Sequence, residues 1–277
     1  MAADEDTHER GGRVVVTAVR GAVGFLSRLP VGQDAAAWES FTTTPVAFPL
    51  AGWLLGPLLA APLLLPGPPA VGAFGVVVAV YLLTGVTHAD GVADLGDAAV
   101  VHGDAERRRA VMRDSDLGAG GALALVVTVG GLFTAAAAVG RLPVAVGLLL
   151  VVVAEVGAKF GMGALVCLGT ATHEGLASSF TRTGRPGDVR GVLAATVPAA
   201  ALGGVLDTAG VVAFQWAALT ASTAALTAAV GVTGGMLWWA RRRLGGVSGD
   251  VLGATNEFAR VVALHTGVVT WTIWTPS

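Results

Sequence analysis

The chain has 277 residues, 54% of them hydrophobic and only 13% charged, with 17 basic and 19 acidic side chains. A mean hydropathy of +0.72 excludes a soluble globular domain, and the same apolarity excludes a disordered chain. The net charge of −2 supplies no basic field for nucleic acid, and 40 glycines without a Gly-X-Y period exclude a collagen-like rod.

An integral membrane protein remains. Residues 1–13 form a polar N-terminal tail carrying Asp4, Glu5, Asp6, Glu9, Arg10 and Arg13, with no apolar core of signal-peptide type. Residues 14–29 alternate apolar side chains with Arg20 and Arg28 and predict an amphipathic surface helix. Stretches apolar enough to span a membrane follow at 45–65, 69–87, 119–140, 143–169, 189–206 and 211–240. A further run at 261–274 is short for a crossing and either tilts or lies in the interface. Pro198 is expected to kink the fifth stretch. The expected fold is therefore all-α, a polytopic membrane protein with about six to seven transmembrane helices and an N-terminal amphipathic helix. It forms one membrane domain over 1–277, with its crossings between 45 and 274. Cys167 is the single cysteine, so no intrachain disulfide forms, and it is expected as a small core or lipid-facing residue.

The linkers alternate between tiny turns and longer polar segments at 88–118, 170–188 and 241–257. Fifteen of the 17 basic residues fall on the side of the N-terminus and these three segments; Arg141 and Lys159 are the exceptions. The positive-inside rule then places that side in the cytoplasm. The acids after residue 45 gather there too, apart from Glu155 and Asp207. Orientation does not require acids, so their clustering needs another cause.

The sharpest cluster is the His-x-Asp-Gly-x-x-Asp-x-x-Asp run at 88–97. If the helix continues through it, Asp90, Asp94 and Asp97 fall within about 60° on one face. Carboxylates that close repel one another unless a cation intervenes, and hard oxygen donors suit Mg²⁺ or Mn²⁺. The alternative is a solvated acidic loop. Gly91 would let a bulky ligand approach the backbone, while His88 points elsewhere, either catalytic or simply hydrogen-bonded at the interface. Arg107, Arg108, Arg109 and Arg113 offer fork geometry for phosphate or serve as topological anchors. Asp114 and Ser115 read as a helix cap or as part of an anion site. The Gly-rich segment from Gly245 to Glu257 brings Ser248 and Asp250, and its amides could wrap a phosphate as a second wall of one site. Glu155 and Lys159, at i and i+4 within a span, read as a structural or substrate-contacting pair rather than a proton path.

Together with the Phe25-Leu-Ser-Arg-Leu-Pro30 and Phe48-Pro-Leu-Ala-Gly52 segments, the runs at 88–97, 113–118 and 245–257 resemble those of the cobalamin synthase family. The resemblance implies a Mg²⁺-dependent phosphotransferase of the inner membrane, with its site and N-terminus facing the cytoplasm. A hydroxyl of α-ribazole, or of its 5′-phosphate, would attack the cobinamide-side phosphate of adenosylcobinamide-GDP and release GMP. By position it implies Asp90, Asp94 and Asp97 as metal ligands and His88, Asp114 and Asp250 as catalytic groups. Arg109, Arg113, Ser115, Lys159, Ser248 and Glu257 are then substrate-binding. The partners implied are the corrinoid nucleotide, α-ribazole and membrane lipid, without nucleic acid; a homo-oligomer stays open. Asp116, Lys159 and the 172–176 segment depart from the family pattern, which bears on phosphate gripping rather than on the acids.

Two other classes compete. CDP-alcohol phosphotransferases need an Asp-x-x-Asp-Gly-x-x-Ala-Arg pattern, but Thr87 precedes Asp90 by three and Asp94 stands in place of the Ala-Arg pair. A cation transporter would hold its acids near mid-bilayer, whereas here only Glu155 sits deep in a span.

Overall fold

A bilayer offers no water to a bare peptide group, so a chain this apolar must close its backbone hydrogen bonds within helices. The computed structural model describes residues 2–275 apart from 33 and 211–215, with side chains described from residue 11 onward. Among the described residues the regular structure is helical, and the one extended pairing is an isolated bridge between Ala171 and Val247.

The chain opens with α1 (Ala2–Leu26) and α2 (Ala35–Thr43). α1 takes in what composition assigns to a polar tail, and it stops at Leu26 rather than 29. There Ser27 Oγ donates to the Val23 carbonyl at 2.6 Å and accepts from the Leu29 amide, and Pro30 follows. Next come α3 (Ala47–Ala60), continued by a 3₁₀ turn over Ala61–Leu64, and α4 (Pro69–Thr84). α5 (Thr87–Val100) and α6 (Ala105–Met112) occupy the segment that reads in sequence as a loop over 88–118. α7 (Ala119–Val139), α8 (Val144–Leu168), the short α9 (Leu176–Thr181), α10 (Val189–Thr208), α11 (Ala217–Arg243) and α12 (Gly249–Trp274) complete the fold. α10 continues as one helix through Pro198. The start of the 211–240 run, 211–215, lies outside the described residues.

Length and apolarity qualify five stretches as membrane crossings, namely Ala47–Leu64, Ala119–Val139, Val144–Leu168, Pro186–Thr208 and Ala217–Arg243. The bent pair of α4 and α5 brings the number to six, so the protein is an all-α polytopic membrane protein. Two expectations change. The second span does not continue into the acidic run, because the chain turns through 98° between α4 and α5. Gly85 makes the turn at φ 74, a left-handed conformation that costs glycine little. α4 is the apolar arm of that pair, and α5 turns away from it to pack against the starts of α7 and α12. The weak run at 261–274, in turn, is the rear of a 26-residue helix. At 1.5 Å per residue α12 is about 39 Å long, enough to cross a core of about 30 Å. Asp250, Glu257 and Arg260 mask its front half from a hydropathy reading.

α8 is the central column, buried along most of its length against α3, α10, α11 and α12. α4 and α7 instead expose Leu82, Leu123, Val126 and Val127, the surface a lipid-facing helix presents.

Candidate active site

Three cavities adjoin where α5, α6, α9 and the start of α12 converge. An acidic chamber of about 300 Å³ is lined by Asp90, Asp94 and Asp97 of α5 and by Asp114, Ser115 and Asp116 beyond α6. A larger chamber of about 440 Å³ has Thr87, His88, Asp90 and Asp250 on its polar side and Phe48, Met162 and Phe180 on its apolar side. The third, about 60 Å³, lies among Arg109, Arg113, His173, Ser248 and Asp250. Asp90 borders the first two, Asp250 the last two and Met112 the first and third, so the three form one cleft.

Backbone contact brings these acids together. A Cβ at Gly91 would stand 2.7 Å from the Asp250 carbonyl oxygen, and one at Gly253 would stand 3.0 Å from the Cα of His88. Gly91 therefore admits the backbone of α12, not a ligand as its place in the motif suggested.

The three α5 aspartates share a side of the helix but differ in use. Asp97 accepts from the amides of Gly118 at 2.8 Å and Gly121 at 2.9 Å, and so caps the start of α7. Asp114 and Ser115 do not have that role: Asp114 accepts from the Asp116 amide, both are exposed, and the N-cap position of α7 is Gly118. Asp97→Ala is expected to lower stability by about 1–2 kcal/mol while Asp97→Asn, which keeps an acceptor, loses less. Thermal unfolding of the two variants in detergent checks this; equal losses would remove the cap.

Asp90 is exposed and Asp94 half-buried. Partial burial, with the charges of Asp250, Asp90 and Asp97 added to it, pushes the Asp94 carboxyl up to about 7. Hard oxygen donors thus gather around one cleft and repel one another. Among the described residues no three His, Cys, Asp or Glu side chains stand close enough together to hold a metal ion as they are.

The basic residues separate as well. Arg108 is buried, with its guanidinium donating to the carbonyls of Ala98 and Ala99, a structural role. Arg109 Nη1 donates to the Leu244 carbonyl at 2.5 Å, and Arg113 is exposed; both face the small chamber. The Gly-rich segment is not an open phosphate loop. Its Gly246 amide donates to Ala240 and its Val247 amide to Thr170, while the Thr172 amide returns a bond to Val247. Ser248 caps α12 and donates to Asp250 Oδ2 at 3.1 Å.

Below the cleft lies a closed ring of buried polar groups from α5, α8 and α12. Lys159 Nζ lies 2.9 Å from Glu155 Oε1, and Glu155 Oε2 accepts from Arg260 Nε at 2.8 Å. Arg260 Nη1 donates to Glu257 Oε2 at 2.6 Å, and Glu257 Oε1 lies 3.6 Å from His88 Nδ1. Asn256 closes the circuit: its Oδ1 accepts from Lys159 at 2.7 Å, and its Nδ2 donates to Glu257 Oε1 at 3.0 Å and faces His88 Nδ1 at 3.1 Å. Lys159 and Glu257, expected on the substrate, are thus buried in ion pairs. Asn256 and Arg260 were not anticipated. Arg260 carries one signal in the sequence, its position three residues after Glu257, although it reads there among the cytoplasmic charges; Asn256 carries none.

Fold and site together define a polytopic helical membrane protein with a carboxylate-lined cleft at one end of its bundle. A family model described as cobalamin-5-phosphate synthase matches residues 18–268, and the chain belongs to that family. It is 48% identical to an adenosylcobinamide-GDP ribazoletransferase of Halorubrum lacusprofundi, covering 94% of this chain and 99% of that one. A protein of the same name from Haloquadratum walsbyi is 43% identical over 93% of this chain and 99% of its own. One from Methanocella arvoryzae is 32% identical over 93% and 97%. No solved structure matches the chain significantly.

Proposed function

We propose that the cleft carries out the transferase reaction of cobalamin biosynthesis: the chain is an adenosylcobinamide-GDP ribazoletransferase. The observation that carries this reading is the junction of Asp90 and Asp94 on one helix with Asp250 on another, in a chain of this family. A hydroxyl oxygen of α-ribazole, or of its 5′-phosphate, bonds to the cobinamide-side phosphorus of adenosylcobinamide-GDP. The bond from that phosphorus to the bridging oxygen breaks, and GMP leaves with the oxygen.

Mg²⁺ is the cation proposed for these hard oxygen donors, which would draw together around it: Asp90 and Asp94 would hold it, with Asp250 opposite and Asp97 the further candidate. When bound it neutralises charge on the transferring phosphoryl group. Arg109 and Arg113 supply positive charge to the phosphates from the adjoining chamber. Asp250, which borders two chambers, accepts the proton of the attacking hydroxyl. His88 has a different part. Lys159 has only donors to offer, so Asn256 presents Oδ1 to it and Nδ2 to His88. His88 Nδ1 is then an acceptor and Nε2 carries the proton, which makes His88 a donor toward the substrate rather than a base.

Membranes holding the protein, given adenosylcobinamide-GDP, α-ribazole and Mg²⁺, are expected to release GMP and form the cobalamin, and EDTA is expected to abolish both. No GMP release would overturn the activity; undiminished release in chelated, metal-free membranes would overturn the metal.

The basic-residue asymmetry supports an orientation with the N-terminus and the cleft in the cytoplasm. Counting α4 and α12 as crossings, the end of α12 lies on the opposite side. A cysteine introduced at Thr275 in a Cys167→Ser background is expected to react with an impermeant maleimide from outside intact cells. Labelling only after permeabilisation would place α12 otherwise.

A further inference from the structure

Resting on the transferase reading, we propose that the larger chamber is the subsite for the ribazole. Its planar base lies at the apolar end and its sugar hydroxyls lie toward Asp90 and Asp250. The corrinoid nucleotide is thereby left to the acidic side of the cleft.

Size is the first argument. About 440 Å³ suits a ligand of nucleoside size and falls within the roughly 300–1,000 Å³ common for small-molecule sites. A corrin ring with its side chains is several times larger than a nucleoside and has no room there. Lining is the second. The far wall is Phe25, Phe48, Phe180, Met162 and Leu252, with Leu176 at the rim. The rings are fixed among themselves, Phe48 to Phe180 at 5.4 Å and Phe25 to Phe180 at 6.3 Å between centroids. Such a wall favours a flat, uncharged aromatic face over a phosphate or a guanine edge, which would leave polar atoms unpaired. Polarity is the third argument. Thr87, His88, Asp90 and Asp250 all line the same chamber, so a ligand with its base at the aromatic wall presents hydroxyls to the groups that activate them. The small chamber with Arg109, Arg113 and His173 adjoins at Asp250, where a 5′-phosphate on that sugar would be met.

Leu176 gives the test, since it is 40% exposed and can be enlarged without disturbing the core. Leu176→Trp fills the rim of the chamber. It is expected to raise KM for α-ribazole by about tenfold or more while KM for adenosylcobinamide-GDP stays within about twofold. Leu123→Trp, the same exchange on the outer face of α7, should leave both constants unchanged. Equilibrium binding to the solubilised protein gives a second measurement: the riboside lacking the two base methyls is expected to bind about tenfold more weakly than α-ribazole. A rise in KM for the corrinoid nucleotide alone, or no change in either constant in folded Leu176→Trp protein, overturns the subsite. Equal binding of the two ribosides overturns burial of the base. The wild-type GMP assay separates these failures from failure of the reaction itself.

Discussion

Asp90→Ala and Asp94→Ala are each expected to lower GMP release by a factor of about 10²–10³ or more, while the proteins fold as well as the parent. The loss follows from the cleft. These are the α5 acids left without a structural partner once Asp97 caps α7, and they face Asp250 across the crossing at Gly91. On the proposed reaction, removing either would take a donor from the cation and leave phosphate charge uncompensated in the transition state.

The same arrangement predicts the opposite effect on stability. Held without a cation, these carboxylates repel, and Asp94 is pushed up to about 7 by burial and by its acidic neighbours. A carboxyl whose folded pKa exceeds its unfolded value of 3.8 holds its proton longer in the native state. Its contribution is therefore present at low pH and is lost as pH rises from about 4 to about 7. In EDTA at neutral pH, Asp94→Asn is expected to melt at or above the temperature of the parent and to show a flatter dependence on pH. Added Mg²⁺ should raise the melting temperature of the parent and not of the variant. A variant that is both inactive and less stable in EDTA would instead make Asp94 a structural residue.

The second large effect is on folding. Arg260→Ala is expected to cost about 3–5 kcal/mol, because it leaves Glu155 and Glu257 buried with one partner removed from each. For a chain of this size that corresponds to a fall in melting temperature on the order of 10 °C, readable by thermal unfolding in detergent. Lys159 cannot compensate: it lies beside Glu155 Oε1 and donates to Asn256. Arg260→Lys is expected to recover only part of the loss, since one ammonium cannot reproduce a guanidinium that engages two carboxylates through separate nitrogens. Arg182→Ala removes an exposed pair with Glu174 and should leave the melting temperature unchanged. A shift of less than roughly 2 °C in Arg260→Ala would show that the ring carries no stability.

What could be read in advance followed from the range of each signal. Asp90 and Asp94 sit four residues apart, and a helix makes that spacing a contact, so their shared side was visible in the sequence. The spans were visible for the same reason, since burial in lipid is written residue by residue. Arg260 was placed with the cytoplasmic charges because its partner Glu155 lies 105 positions away. Lys159 reads in sequence as a structural or substrate-contacting partner of Glu155; its bond to Asn256, 97 positions on, leaves no mark in a single chain. Gly91 reads in sequence as a place for a bulky ligand to approach the backbone; what approaches is a helix that hydropathy cuts in half. The Gly-rich segment reads as free because its bonding partners at 170–172 lie about 75 positions earlier in the chain.

The turn of 98° between α4 and α5 also settles what the membrane can and cannot alter. A bilayer that thickens or thins is matched by tilting or stretching the helices that cross it. α5 runs nearly perpendicular to its neighbour, and the rise from Asp90 to Asp94 is about one turn within a single helix, set by its own backbone hydrogen bonds. Changes in lipid composition can thus act on how the spans lean against α8, while the spacing of the two acids proposed to carry the chemistry stays set by one helix.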